Sequence, residues 1–264
     1  MTPTAIAFTL TLLAGLATGI GSAIAFFAKR TNATFLAVSL GFSAGVMIYV
    51  SFVEIMPTAR DAIVKDHSPT WASWVTAAGF FVGILIIALL DKAVPENTNP
   101  HEVHKPEDYD NQKNKKLMRT GLMTAAALAI HNFPEGFATF LSGLQDPSLA
   151  IPVAVAIAIH NIPEGIAVSV PVYYATGSRK KGFWLSFASG LSEPLGALIG
   201  WLVLRNFLTD TVFGVVFAAV AGIMVFISFD ELLPTAEEYG EHHHAIYGLI
   251  AGMAVMALSL LLFL

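Results

Sequence analysis

The stretch AGVMIYVSFVEIMPTA at residues 44–59 occurs a second time, with substitutions, as AGIMVFISFDELLPTA at residues 221–236. Nine of the sixteen positions are identical, and most of the others exchange one apolar residue for another. Weaker matches flank this repeat. AGLATGIGSAI from Ala14 resembles SGLSEPLGALI from Ser189, and two further apolar segments share a G-x-x-x-G pattern. Three apolar segments near the start of the chain therefore correspond, in the same order, to three near its end.

The composition indicates a membrane protein. The chain has 264 residues, is 55% hydrophobic and 12% charged, and has a mean hydropathy of +0.68. A soluble domain carries roughly 25% charged residues, so the apolar surplus is best explained as lipid-facing surface. The net charge is −5 and the basic residues cluster in connecting loops, which argues against a nucleic-acid partner. The absence of cysteine excludes disulfides, a cysteine nucleophile and thiolate metal sites.

Eight apolar segments are long enough to cross about 30 Å of hydrocarbon. They are predicted at residues 4–28, 34–56, 70–90, 119–142, 149–172, 182–204, 211–234 and 245–264. None shows the alternating pattern of a membrane strand, so the prediction is an all-α polytopic membrane protein with eight transmembrane helices.

The repeat predicts how these helices are arranged. The two copies are five segments apart, an odd number, so they cross the membrane in opposite directions and give a 3+2+3 inverted repeat. The predicted divisions are residues 1–90 (first repeat), 91–118 (cytoplasmic loop), 119–172 (two central helices) and 173–264 (second, inverted repeat). Inverted repeats are common in transporters, and the alternative is duplication of a membrane scaffold that has no transport function.

The basic residues predict the orientation. Eleven of the fourteen fall in the loops around residues 29–30, 92–119 and 179–181, which the positive-inside rule places on the cytoplasmic side. Both termini are then outside. His101 and His104 of the long polar loop are interpreted as solvated loop histidines, with transient metal binding as the alternative.

Two hexapeptides, HNFPEG at residues 131–136 and HNIPEG at residues 160–165, lie within the two central segments. On a helix, residues i and i+4 share a face and i+1 lies three residues before i+4, so the His, Asn and Glu of each motif converge. The candidate metal ligands are His131, Asn132, Glu135, His160, Asn161 and Glu164.

Imidazole nitrogen, amide oxygen and carboxylate form a mixed donor set that suits zinc, iron(II), cobalt and manganese, but not soft copper(I). Burying one carboxylate at mid-membrane costs about 2.5–3.5 kcal/mol on insertion scales. Glu193, in SGLSEPLGA, lies at a depth similar to that of Glu135 and Glu164. Two divalent cations, in a binuclear site or in two adjacent sites, would compensate these three negative charges.

Three other interpretations are open at this stage. A single buried His or Glu is often a helix–helix contact, but here the cluster occurs twice. A proton relay uses His and Glu and does not require the asparagines. An intramembrane metal-dependent hydrolase is the enzymatic alternative, although the His-Glu-x-x-His motif of zincins does not occur.

The paired HNxPEG motifs on the fourth and fifth of eight segments resemble the ZIP family of divalent metal transporters, and SGLSEPLGA and ELLPTA are similar to its bacterial members. The resemblance covers essentially the whole chain. It implies a homodimeric transporter, not an enzyme, that imports zinc, and often iron, manganese, cobalt or cadmium, across a bacterial inner (cell) membrane. The metal ligands that it implies are His131, Asn132, Glu135, His160, Asn161, Glu164, Glu193 and, on segment two, Met47.

The second motif departs from many family members, which have Gln-Asp at the positions of His160 and Asn161. The half-site therefore carries one carboxylate fewer.

The expected route enters near Glu54 and leaves near Asp230, and a divalent cation exporter is the alternative because a cation path has no intrinsic direction.

Overall fold

The computed structural model describes residues 2–24, 33–93, 129, 132–144, 147–204, 206–207, 209–239 and 242–262. The regular structure of these residues is all helical, with no strand. The helices are α1 Pro3–Ile24, α2 Ala33–Val50, α3 Met56–Val64, α4 Pro69–Ala93, α5 132–144, α6 Pro147–Thr176, α7 Arg179–Gly190, α8 Ser192–Leu204, α9 Asp210–Ile227, α10 Leu233–Tyr239 and α11 His242–Leu262. Two π-helical segments, Ser51–Ile55 and Ser228–Leu232, join α2 to α3 and α9 to α10.

Five helical stretches in the described part of the chain are long and apolar enough to cross a membrane. They are Pro3–Ala23, Ala37–Val64, Pro69–Leu90, Asp210–Glu237 and His242–Leu262. Their outward faces are apolar, as on α4, where Phe81, Leu85 and Leu89 are more than half exposed. These three side chains recur every four residues and form one face of the helix. Such a surface fits lipid rather than water, and the prediction of an all-helical membrane protein is confirmed at this level.

The helix boundaries differ from the predicted segments most clearly in the second, sixth and seventh segments, and the seventh, predicted to end at residue 234, continues as helix to Tyr239. The second segment, predicted to end at residue 56, continues as helix to Val64 because the π-helical turn accommodates Pro57. The sixth, predicted as one helix over residues 182–204, is divided at Leu191 into α7 and α8. The polar loop with His101 and His104, and the start of the fourth segment, lie outside the described residues.

The two copies of the repeated stretch adopt the same local structure. In each copy an α-helix passes into five residues of π-helix, and the amide of the next residue donates to the carbonyl five residues before it. The bonds run from Met56 to Ser51 and from Leu233 to Ser228. The following residue in each copy is proline, which has no amide hydrogen and whose ring collides with the carbonyl four residues before it in a regular α-helix. The wider π turn relieves this collision.

Two pairs of helices, α2–α11 and α9–α4, are called the outer helix pairs. They pack backbone to backbone at equivalent glycines. A Cβ atom on Gly45 of α2 would overlap the carbonyl oxygen of Leu249 in α11, and one on Gly222 of α9 would overlap that of Phe80 in α4. Gly45 and Gly222 are equivalent in the repeat, and Phe80 and Leu249 each follow the first glycine of a G-x-x-x-G pattern. The α2–α11 pair therefore packs as the α9–α4 pair does.

The two inner helix pairs show the same relation. A Cβ atom on Gly21 of α1 would overlap the carbonyl oxygen of Ile162 in α6, and one on Gly196 of α8 would overlap that of Phe133 in α5. Ile162 and Phe133 are the third residues of the two HNxPEG motifs. These close approaches hold the motif-bearing helices against α1 and α8 and so position the site.

Thr209 caps the N-terminus of α9, where its side chain accepts a hydrogen bond from the amide of Val212 at 3.1 Å. We expect Thr209→Ala to lower the free energy of unfolding by about 1 kcal/mol, because it leaves that amide without its cap. Thermal unfolding of the purified protein in detergent measures this effect. Thr209→Ser keeps the acceptor oxygen and should unfold like the wild type, and equal losses in both variants would contradict the capping role.

Candidate metal site

The site is built around His160 and Glu164, which lie four residues apart and therefore on one face of α6. Glu135 of α5 meets them from a second helix. The side chains of all three residues are fully buried. Both carboxylate oxygens of Glu135 lie 3.3 Å from Nε2 of His160, and Oε1 of Glu164 lies 3.9 Å from the same nitrogen. The structure thus brings together one histidine and two glutamates that the sequence placed in two separate motifs.

The cluster has the dimensions of a metal site. One potential ligand atom from each of Glu135, His160 and Glu164 can be chosen so that all three lie within 4.8 Å of one another. With bonds of about 2.0–2.2 Å in a tetrahedron, two ligand atoms on one zinc ion lie roughly 3.3–3.6 Å apart. Small side-chain movements would therefore bring these three atoms into one coordination shell.

Asn161 links the cluster to Glu193 at the start of α8. Its side-chain amide donates one hydrogen bond to Oε1 of Glu193 and another, of 2.9 Å, to the carbonyl oxygen of Ala14 in α1. Glu193 is fully buried and lies in the first turn of α8, directly after the division at Leu191. The division of the sixth segment therefore places a carboxylate beside the second motif, where the helix N-terminus favours negative charge.

Asn132 occupies the equivalent place in the first motif. Its amide nitrogen donates to the carbonyl oxygen of Ser189 at 3.4 Å, and Ser189 corresponds in the repeat to Ala14, the acceptor for Asn161. The side-chain oxygens of both asparagines are buried and accept no hydrogen bond from the described residues. A buried acceptor without a donor is costly, and a cation bound beside either oxygen would offset that cost.

The two remaining predicted metal ligands are Met47 and His131. Met47 of α2 is fully buried and belongs to the main apolar core, together with residues such as Phe217 and Met224. His131 lies outside the described residues.

One residue that contacts the site was not predicted from the sequence. Ser43 of α2 donates a hydrogen bond of 2.9 Å to Oε1 of Glu164, and both side chains are buried. The available signal was its position four residues before Met47, which places both on one face of α2. A single serine in an apolar helix is too common to be singled out without tertiary contacts.

The donor set determines what this site can bind. It presents an imidazole nitrogen together with carboxylate and amide oxygens, all from fully buried side chains that include three glutamates. This combination suits a borderline divalent ion such as zinc. A cation also compensates the electrostatic cost of carboxylates that have been removed from water.

Comparison with known proteins gives the same class. The profile of the ZIP zinc transporter family matches residues 1–91 and 92–260. The chain is 66% identical over 257 residues to a zinc transporter ZupT of Streptococcus mutans, covering 97% of each chain. It is 63% identical over 272 residues to a zinc transporter ZupT of Clostridium perfringens, covering 97% of this chain and 95% of the relative.

The chain therefore belongs to the ZIP zinc transporter family. It is an integral membrane protein and a transporter, and the enzymatic alternative of a metal-dependent hydrolase is set aside by this assignment. The resemblance inferred from the HNxPEG motifs is confirmed.

Proposed function

We propose that this protein imports zinc into the cytoplasm through the buried site between α5 and α6. The observation that carries the proposal is the position of His160 Nε2, 3.3 Å from the Glu135 carboxylate and 3.9 Å from that of Glu164. Relatives that share about two thirds of the residues are named zinc transporters, which supports zinc as the substrate. An apolar protein interior has no structural need for such a cluster, whereas a cation pathway requires one.

In this proposal, the residues of the site contribute to metal binding in different ways. Glu135, His160 and Glu164 bind the ion directly, and Asn161 and Glu193 extend the site toward α8. Asn132 contributes through its side-chain oxygen, which accepts no hydrogen bond from the described part of the chain. His131 completes the first motif and Met47 is an accessory ligand from α2, both on the basis of the family resemblance.

The architecture that we propose is an eight-helix 3+2+3 inverted repeat. Residues 1–90 form the first repeat, residues 91–118 a cytoplasmic loop, residues 119–172 the two central helices, and residues 173–264 the second repeat. The equivalent glycine contacts of the outer and inner helix pairs support this division, as do the two π-helical segments.

We further propose a bacterial inner (cell) membrane location with both termini outside, supported by the distribution of the basic residues. The family resemblance is the ground for a homodimer.

Iron(II), manganese, cobalt and cadmium are proposed as additional substrates because the mixed nitrogen and oxygen donors do not discriminate sharply among them. On the expected route, the half-buried Glu54 precedes the site and the exposed Asp230 follows it.

Zinc entry into proteoliposomes that contain a trapped fluorescent chelator tests the proposed function. We expect entry that saturates with external zinc and is reduced by cobalt or cadmium, but not by magnesium, which prefers oxygen ligands and a hydrated shell. Protein-free liposomes provide the baseline. Absence of entry with the protein inserted in either orientation, although the folded protein binds zinc, would refute the transport function.

A further inference from the structure

We propose that Ser43 is a positioning residue for zinc. By donating to Oε1 of Glu164, its hydroxyl orients one of the two site glutamates and raises the affinity of the site. This inference rests on the proposed function and adds a residue from α2 to the binding machinery of α5 and α6. The bond length is 2.9 Å, and both residues are fully excluded from solvent.

Ser43 contacts the carboxylate oxygen of Glu164 that lies near His160. Oε1 of Glu164 is also the oxygen 3.9 Å from Nε2 of His160. A carboxylate oxygen has two lone pairs, so it can accept the hydroxyl proton with one and bind a cation with the other. The hydrogen bond therefore restricts the rotation of the carboxylate without occupying the lone pair needed for the ion.

Ser43 donates to a carboxylate on another helix, whereas several other buried serines of the described residues donate to backbone carbonyls. Serine in an apolar helix commonly donates to the carbonyl four residues earlier. Ser142 does so to Ala138 at 3.0 Å, and Ser228 does so to Met224 at 2.8 Å. The hydroxyl of Ser43 instead reaches a side chain on another helix, which is the arrangement expected of a group that supports a metal ligand.

The repeat supplies an internal comparison. The residue before AGVMIYV is Ser43, and the residue before AGIMVFI, at the equivalent position of the second copy, is Val220. Val220 is buried, so this position tolerates a purely apolar side chain in the same type of helix. The hydroxyl of Ser43 is therefore not required for helix packing. Because the valine side chain cannot donate a hydrogen bond, the bond from Ser43 distinguishes Glu164 from Glu135, its counterpart in the first motif.

The test compares zinc binding and zinc uptake in Ser43→Ala, Ser43→Thr and the control Ser142→Ala. Ser142 is a buried serine on α5 whose bond is confined to its own helix. We expect Ser43→Ala to raise both the zinc dissociation constant and the KM for uptake about tenfold, the lower end of the effect of groups that orient a metal ligand. Vmax should stay within about twofold of the wild type, because the expected loss is one of ground-state binding. Ser43→Thr retains the hydroxyl and should restore most of the affinity.

Unchanged zinc affinity in Ser43→Ala would overturn the proposal, as would equal losses in Ser43→Thr and Ser43→Ala. A similar fall in thermal stability for Ser43→Ala and Ser142→Ala, without a change in zinc affinity, would assign Ser43 to packing and also overturn it. Binding is titrated in detergent, separately from uptake. Failure of the wild type to transport zinc would therefore count against the proposed function, while the binding comparison would still decide the role of Ser43.

Discussion

Replacing Glu135 or Glu164 with alanine should abolish zinc uptake while leaving a folded, membrane-inserted protein. Each change removes one carboxylate from around His160, and with it one negative charge that would compensate the ion in the proposed site. Groups that only orient a ligand contribute 10–100-fold, so the loss of a ligand itself should lower zinc affinity by roughly 100-fold or more. Folding should survive because an apolar side chain costs little inside a membrane protein, whereas a buried carboxylate is costly.

The matched control for these variants is Asp61→Asn, which removes a carboxylate that is exposed and pairs with Arg60 at the surface. It should take up zinc at the wild-type rate in the chelator-loaded proteoliposomes. Size-exclusion profiles in detergent establish that all variants are folded. Normal uptake by both glutamate variants would show that the site is assigned to the wrong residues.

Gly136→Ala should be the most damaging substitution of a single small residue. A Cβ atom at this position would overlap the backbone of Glu193, and a backbone segment cannot rotate away as a side chain can. The helices α5 and α8 would have to separate, which displaces Glu193 from Asn161. We expect a loss of about 3 kcal/mol or more in the free energy of unfolding, at the top of the range for overpacked cores, together with weakened zinc binding.

Gly165→Ala tests the same contact in the second motif, where the added Cβ atom would overlap the carbonyl oxygen of Thr18. The control is Gly177→Asn. Gly177 has a φ of +64° and no atom within 4 Å of an added Cβ, and asparagine tolerates this left-handed conformation. Thermal unfolding should show a clear fall for the two motif variants and little change for Gly177→Asn. Wild-type stability in Gly136→Ala would contradict the close packing of α5 on α8.

Much of the architecture follows from local patterns. The repeated SFxE stretches predicted two equivalent segments, and both contain a π-helical turn before proline. The pairing of Gly45 with Leu249 and of Gly222 with Phe80 could not be predicted, because the G-x-x-x-G pattern marks a packing face without naming the helix that covers it. Likewise, the division at Leu191 lies inside a segment whose hydropathy resembles that of a continuous helix.

The site shows the same distinction. The sequence by itself determined that His160 and Glu164 share a face, since their spacing matches the helical period, and that the motif side chains carry nitrogen and oxygen atoms of the kinds that bind divalent metals. Only the tertiary structure decided that Glu135 reaches His160 from α5, that Glu193 meets Asn161, and that Ser43 donates to Glu164. Periodicity fixes directions around one helix axis. Distances between side chains on different helices depend on how closely the backbones approach, and this chain sets those approaches through glycine contacts between residues far apart in sequence.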